Sequence, residues 1–168
     1  MTSAAFWIDK LGLEPLPEEG GMFRQVYRAA ESIPASALPE RFAGSRRYST
    51  SIYYLLQHPD FSAFHALNQD ELWHFYDGST LTMHVIDRDG EYSCRRLGRD
   101  VEGGEALQLP VFAGCVFGAE VEDAGGYTLV GCTVAPGFEL DDFTAPGRAE
   151  LLRAYPQCAD VIERLTRT

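Results

Sequence analysis

The chain has 168 residues with 14 basic and 25 acidic side chains, which give a formal net charge of −11. This length predicts a single domain, and the acidic balance argues against nucleic-acid binders and polybasic membrane anchors, because both need clustered cations. Hydrophobic residues make up 45% of the chain, which is too much for a disordered protein.

The first predicted element is a helix over residues 3–12, where apolar side chains recur at helical spacing between an N-cap at Ser3 and a stop at Gly12. The middle of the chain consists of short runs rich in β-branched and aromatic residues, separated by glycine and acidic turns. The intervals between runs are too short for crossover helices, so we expect antiparallel sheets in a sandwich or barrel. The predicted strands are 21–28, 48–56, 62–67, 71–76, 80–87, 92–96, 105–110, 115–120 and 127–134.

The C-terminal part is again predicted to be helical, over 147–155 and from Pro156 onward. We therefore expect one domain that covers the whole chain. It consists of a helix and lead-in over residues 1–20, a barrel over 21–140 and helices over 145–168.

The N-terminus and the cysteines indicate the compartment. Asp9 and Lys10 interrupt the N-terminus before any apolar run of signal-peptide length, and no stretch reaches the ~20 apolar residues of a membrane span. The four cysteines are far apart in sequence, which excludes a CxxC motif, and free thiols are expected without a secretion signal. We expect a cytoplasmic protein with neither a membrane nor a nucleic acid as partner.

One window of the predicted sheet carries the candidate chemistry, because it holds three of the four histidines. Glu71, Trp73 and Phe75 share parity in their strand and therefore point to one face, while His74 points to the other. A carboxylate beside two large aromatic side chains suits a pocket better than a solvated surface. The plainest interpretation of His65 and Glu71 is a hydrogen-bonded pair inside a partly wet barrel, since a buried carboxylate needs a partner.

Aromatic side chains on the same face have two interpretations. Tyr54, Phe23, Trp73 and Phe75 either fill the barrel or line a pocket, and the inward carboxylate of Glu71 favours the pocket. His74 is expected to be a wall or subunit-interface residue beside the site.

Charged groups flank the predicted core strands. The arginines that precede these strands either solvate the surface or supply one contact to an anionic ligand, since guanidinium suits phosphate and carboxylate. We select Arg28 among them as a ligand-binding candidate. The acidic run after the core is expected to be solvated or to cap a loop, whereas Glu71 is one carboxylate that the pattern places inside. The arginines are Arg24, Arg28, Arg46 and Arg47, and the acidic run is Glu139, Asp141 and Asp142.

The spacing of His65, Glu71 and Gly78 resembles the first motif of the cupin superfamily, with Leu67 where a second histidine is usual. The wider pattern resembles cupin family five, a domain of unknown function, over nearly the whole chain. The segments that carry this resemblance are LGLEPLPEEGGMFRQVYR (11–28), STSIYYLL (49–56), SAFHALNQDELWHFYDG (62–78), VAPGFELDDF (134–143) and AYPQCADVIERL (154–165).

The resemblance implies an antiparallel jelly-roll cupin barrel, or double-stranded β-helix, with an N-terminal helix and a C-terminal helical tail. It also implies a homodimer and a small-molecule ligand. Related metal-independent cupins isomerise or epimerise sugar nucleotides with a histidine base and an aromatic acid. By that analogy His65 would take a proton, Glu71 would orient it and Tyr54 would donate one, with ligand contacts from Phe23, Trp73, His74, Phe75 and Arg28.

The chain departs from the family pattern in ways that bear on a cofactor. Leu67 replaces one expected metal ligand, no histidine stands where a third would come, and an extra acidic residue appears at Glu18-Glu19. A metal cupin needs three or four protein ligands, so we expect no cofactor, and a divalent metal would have only His65 and Glu71. The alternatives to an isomerase are a non-catalytic sensor or storage-like binding protein and a metal-dependent enzyme.

Overall fold

The computed structural model describes residues 3–167, so residues 1, 2 and 168 of the predicted terminal segments lie outside the described part. The chain forms two antiparallel sheets packed face to face, with helices at both ends. The elements are α1 (Ala4–Leu11), β1 (Glu14–Pro15), β2 (Met22–Arg28), β3 (Ser32–Ile33), β4 (Arg46–Arg47), β5 (Thr50–Gln57), β6 (Phe61–Leu67), β7 (Asp70–Gly78), β8 (Leu81–Ile86), β9 (Tyr92–Leu97), β10 (Gln108–Val111), β11 (Val116–Val121), β12 (Tyr127–Ala135), β13 (Phe143–Thr144), α2 (Arg148–Ala154) and α3 (Ala159–Arg164).

The strand order is that of a jelly roll. The first sheet has the order β1-β2-β5-β12-β7-β10 and the second β13-β6-β11-β8-β9, so strands that are adjacent in sequence often lie in opposite sheets. A short separate pair joins β3 to β4. Each of the nine predicted strands is present with shifted ends, the largest shift being in β10, which begins at Gln108. The predicted all-β antiparallel architecture is confirmed.

Both outer faces of the sandwich are partly covered by the terminal helices. Helix α1 begins at the Ser3 cap and ends at Gly12, as predicted, and its apolar side packs with Leu55 and Leu129 on the first sheet. The C-terminal helices pack on the second sheet through a cluster that includes Leu151 and Ile162. Among residues 3–167, no helix is long and apolar enough to cross a membrane.

The space between the sheets is filled at one end and open at the other. Alternate residues of β5 and β12 point inward, and Tyr54, Leu56 and Val130 belong to the central apolar cluster. Trp73 and Phe117 close the middle of this cluster with rings packed edge to face. The open end lies beyond these two rings, between the first residues of β5 and β7 and the segment that follows β12.

A buried ion pair fixes the segment that follows β12. Arg46 donates from Nε and Nη2 to the two carboxylate oxygens of Asp142, both at 2.7 Å, and both side chains are almost fully buried. Gln69 and Asn68 donate to the same carboxylate. The expectation of a solvated or capping acidic run is therefore wrong for Asp142, because the fold encloses it with its own cation. The pair fixes residues 137–143, here called the cap segment, against β4.

We expect Asp142→Asn to destabilise the protein by about 3 kcal/mol or more, because it leaves the buried Arg46 guanidinium without a counter-charge. Urea denaturation of the variant would measure this loss. Glu139→Gln is the matched control, since it breaks the exposed Arg28–Glu139 ion pair of the same segment and should change stability by at most ~1 kcal/mol. Equal effects of the two substitutions would contradict the structural role of the buried pair.

Candidate functional site

The open end of the sandwich holds a cavity of about 430 Å³. Its walls are mostly apolar, and its polar groups are concentrated where the lead-in to β2 meets β6 and β7. The lining residues are Leu16, Pro17, Glu18, Glu19, Phe23, Gln25, Thr50, Ile52, His65, Leu67, Glu71, Cys132, Val134, Phe138, Leu140 and Phe143.

Strand alternation places most of these side chains. Every second residue of an antiparallel strand faces the same way, so β2 contributes Phe23 and Gln25 and β5 contributes Thr50 and Ile52. Register then aligns neighbouring strands, with Glu71 of β7 opposite Val134 of β12. The cap segment forms another wall, anchored where the Phe138 amide donates to the Thr50 hydroxyl at 3.0 Å.

The turn before β2, here called the lead-in turn (residues 16–21), does not follow strand alternation. Gly20 and Gly21 have positive φ values of 104° and 71°, and a Cβ on Gly20 would lie 2.5 Å from the Phe61 carbonyl oxygen. Glu18 also has a positive φ of 66°, an unfavourable conformation for a residue with a side chain. Arg167, near the C-terminus, holds the turn by donating to the carbonyl oxygens of Glu18 and Glu19.

His65 stands at the polar end of the cavity with only 2% of its surface exposed. Its ring lies between Phe117 and Phe143, with centroids 4.1 and 5.3 Å away. Burial lowers the pKa of His65, which favours the neutral ring. Because Nδ1 is 2.8 Å from the Ala63 carbonyl oxygen, which can only accept, the proton belongs on Nδ1 and Nε2 keeps a lone pair.

Glu71 lies beside His65 but takes its hydrogen bond from elsewhere. The Trp73 indole Nε1 donates to Glu71 Oε2 at 2.7 Å, and the expected hydrogen bond between His65 and Glu71 is not formed. Their interaction is electrostatic. Burial, followed by the nearby Glu19 carboxylate, raises the pKa of Glu71 to about 7 against the smaller opposing effects of His65 and Trp73.

Glu19 contributes a second carboxyl group to the same cavity, from a residue that is half-buried. The Ser62 hydroxyl donates to its Oε1 at 2.9 Å, and the Tyr54 hydroxyl is close enough to stabilise its charge. Burial nonetheless raises the pKa of Glu19 to about 7. The Glu19 charge in turn raises the pKa of Glu71, so each of the two carboxyl groups can hold a proton near neutral pH.

The structure brings together three of the predicted site residues, since His65, Glu71 and Phe23 line the cavity. Tyr54 and Trp73 lie immediately behind its wall, packed edge to face with ring centroids 5.6 Å apart. The Tyr54 hydroxyl donates to the Gly20 carbonyl oxygen at 3.1 Å. Neither Tyr54 nor Trp73 lines the cavity. Tyr54 stabilises the charge of Glu19, and Trp73 donates a hydrogen bond to Glu71.

The other three predicted ligand contacts lie away from the lining. Phe75 packs against the central apolar cluster, and His74 is half-buried, next to Trp73 on β7 and level with Gly131. Arg28 is exposed and donates to Glu139 Oε1 at 2.6 Å. Arg28 therefore ties β2 to the cap segment.

Sequence reasoning named Glu71 as a carboxylate that the pattern places inside, and it did not select Glu19 as a site residue. Glu105 and Asp142 are buried as well. The one signal for Glu19 was the extra acidic residue that sets this chain apart from the family pattern. Nothing in the local sequence separates Glu19 from the exposed Glu18, because the direction of each side chain is decided by the positive φ values of the lead-in turn.

The donor set does not fit a resident metal ion. Among residues 3–167, no three or more His, Cys, Asp or Glu side chains are arranged to hold one, and a divalent transition metal needs about three or four protein ligands. One oxygen of each carboxyl group already accepts a hydrogen bond, from Trp73 and from Ser62. The absence of a cofactor stays a prediction.

Comparisons with known proteins agree with this architecture. The family model described as Cupin superfamily (DUF985) matches residues 5–145. A solved protein of Shewanella oneidensis is 38% identical, with 99% of both chains covered and a TM-score of 0.89. A hypothetical protein from Leishmania major is 34% identical, with 99% of this chain and 100% of that chain covered and a TM-score of 0.87.

More distant structures share the fold alone. A cupin 2 domain-containing protein from Halorhodospira halophila is 13% identical, with 91% of this chain and 87% of that chain covered and a TM-score of 0.56. A comparison with curated proteins finds no significant match.

We expect the stability of Glu71→Gln relative to the native protein to increase by about 2 kcal/mol between pH 5 and pH 8. The pKa of Glu71 is raised from 4.5 to about 7 in the folded chain. The folded state therefore binds more protons than the unfolded state between these values, and stability falls as the pH rises through that window. Glutamine keeps the acceptor for Trp73 and removes the titration.

Urea denaturation at both pH values would measure this change, with Glu102→Gln as the control. Glu102 is exposed on a turn, so its substitution should give the same stability difference at each pH. A stability difference for Glu71→Gln that does not vary with pH would refute the raised pKa.

Proposed function

Since the chain belongs to the DUF985 family of the cupin superfamily, we propose that it binds a small, largely apolar metabolite in the open end of its barrel. The observation that carries the proposal is the cavity of about 430 Å³, with apolar walls and His65, Glu19 and Glu71 at one end. Ligand pockets in proteins commonly have volumes of about 300–1,000 Å³ and a few convergent polar groups.

The energetics of the polar end support a binding role. A buried carboxyl group without a counter-charge costs stability, and apolar side chains of similar size would fill the same space more favourably. Perturbed carboxyl groups in a cleft are typical of functional sites. The central apolar cluster continues into the cavity wall through Leu67, Cys132 and Val134, so the carboxyl groups lie beside apolar side chains.

The residues that line the cavity restrict the chemical class of the ligand. Among the described residues, neither arginine nor lysine contributes to the cavity wall, whereas phosphate groups are bound by such cations or by clustered backbone amides. A sugar nucleotide, the ligand class implied by the resemblance to isomerases, therefore fits this cavity less well than a metabolite without phosphate.

We expect native mass spectrometry of freshly purified protein to show a bound molecule of low mass. Ile52→Trp should abolish this adduct, because Ile52 lines the cavity and a larger side chain there would fill the space that the ligand needs. Val101→Trp adds the same bulk at an exposed site and should retain the adduct. Retention of the adduct by a folded Ile52→Trp variant would place the ligand elsewhere.

A second candidate function is acid–base catalysis, and the geometry of His65 favours it. With its proton on Nδ1, the neutral ring presents the Nε2 lone pair as a general base, while the Glu19–Glu71 pair holds a proton that it can donate. A base and an acid on one cavity can remove a proton from a substrate carbon and return one to another position, as in isomerisation or epimerisation. Tyr54 would act as a positioning residue for Glu19.

If the protein is such an enzyme, His65→Gln should lower turnover of the substrate by about 10²–10⁴-fold, because the general base is lost. Ligand affinity should change little, since glutamine keeps a polar group at the site. The measurement is a kcat and KM comparison on a substrate found in a metabolite panel. Turnover unaffected by this substitution would exclude His65 as the base, and binding without turnover across the panel would favour the sensor or storage-like alternative.

A homodimer and a cytoplasmic location are further parts of the proposal. Strand β9 is an edge of the second sheet, and five of its six residues are exposed. An exposed edge strand presents unpaired backbone groups that a second copy can cover.

A further inference from the structure

The cavity lining carries several carboxyl groups and few groups that could balance their negative charge. Its lining includes three carboxyl groups, those of Glu18, Glu19 and Glu71, and its one nitrogen base is the neutral ring of His65. Among residues 3–167, no arginine or lysine lines the cavity. Arg28 and Arg46 pair with Glu139 and Asp142. Arg167, which pairs with Asp60, offsets part of the Glu19 charge from outside the lining.

The buried acceptors at the polar end are only partly used. Glu71 is 8% exposed, and within the described part of the chain Trp73 donates to Oε2 while Oε1 receives no hydrogen bond. An ionised carboxylate offers about four acceptor sites. His65 is 2% exposed, and its Nε2 makes no hydrogen bond with residues 3–167. These buried acceptors line the cavity, so a bound molecule with N–H groups can satisfy them.

The walls suit the rest of such a molecule. Phe23, Phe138 and Phe143 line the cavity together with Ile52, Leu67 and Val134. Aromatic faces attract cations, and more strongly where water is excluded. An apolar body would lie against these side chains while its donor group reaches the carboxylates.

We propose that the ligand of this cavity is an organic ammonium ion, a primary or secondary amine carried on an apolar body, held by Glu71 and Glu19 with His65 Nε2 as a further acceptor. This inference rests on the proposed function and specifies its ligand class. The ammonium group supplies two or three N–H donors and the positive charge that the lining lacks. Burial of the Glu71 carboxyl group without an arginine or lysine beside it is accounted for by such a ligand.

The test is isothermal titration calorimetry near pH 8, where both carboxyl groups are mostly ionised. The probes are phenethylamine, phenethyl alcohol and phenylpropionate, which carry the same phenylethyl body with positive, zero and negative charge. We expect the amine to bind roughly tenfold or more tightly than the alcohol, and the carboxylate to bind most weakly. Glu71→Gln and Glu19→Gln should each reduce the preference for the amine over the alcohol, while the control Glu102→Gln should keep it.

The outcomes separate this inference from the function on which it rests. Equal or tighter binding of the alcohol or the carboxylate would overturn the ammonium assignment and leave a small-molecule cavity intact. The ammonium assignment would also be overturned, with the small-molecule cavity intact, if a different molecule co-purifies and none of the probes binds at about 5 mM. That limit corresponds to millimolar affinity. Absence of any bound molecule in both experiments would overturn both. Displacement of the amine by Mn²⁺ or Zn²⁺ at lower concentration would identify a metal site instead.

Discussion

The desolvation of two carboxyl groups, Glu19 and Glu71, governs the open end of this protein. An ionised carboxylate inside an apolar sandwich is costly unless it has hydrogen-bond partners or a counter-charge. The chain supplies hydrogen bonds from Trp73 to Glu71 and from Ser62 to Glu19, and Arg167, outside the cavity wall, offsets part of the Glu19 charge. The raised pKa values of both groups follow directly. Interior space left open beside them gives water or a ligand access to the remaining acceptor sites.

The surrounding structure is built to hold this end in place. The buried Arg46–Asp142 pair anchors the cap segment, and Arg167 holds the lead-in turn through backbone carbonyl groups. Both arginines are thus used in positioning the walls, and none of the thirteen arginines of the chain lines the cavity. The arginine group that sequence reasoning connected with an anionic ligand serves as structural support at Arg46 and Arg28.

The fold itself does not decide the chemistry. Jelly-roll barrels host many unrelated activities, and function depends on the groups that line each cavity. Here the shared architecture explains where the cavity lies, and the particular side chains within it determine which ligand fits. The contrast between the filled half around Trp73 and Phe117 and the open half around His65 is the feature from which the functional proposals follow.

The sequence by itself determined the elements and the inward face of the sheets. Strand parity correctly put Glu71 and Trp73 on the interior face, and capping residues located helix α1, because these signals depend on neighbours within a few positions. Only the tertiary structure decided which inward groups reach the cavity. Glu19 enters it through a turn with positive φ values that is held from the C-terminus by Arg167, whereas Tyr54 stops behind that turn. Contacts between residues nearly 150 positions apart leave no trace in local periodicity, so the identity of the second carboxyl group could be known only from the folded chain.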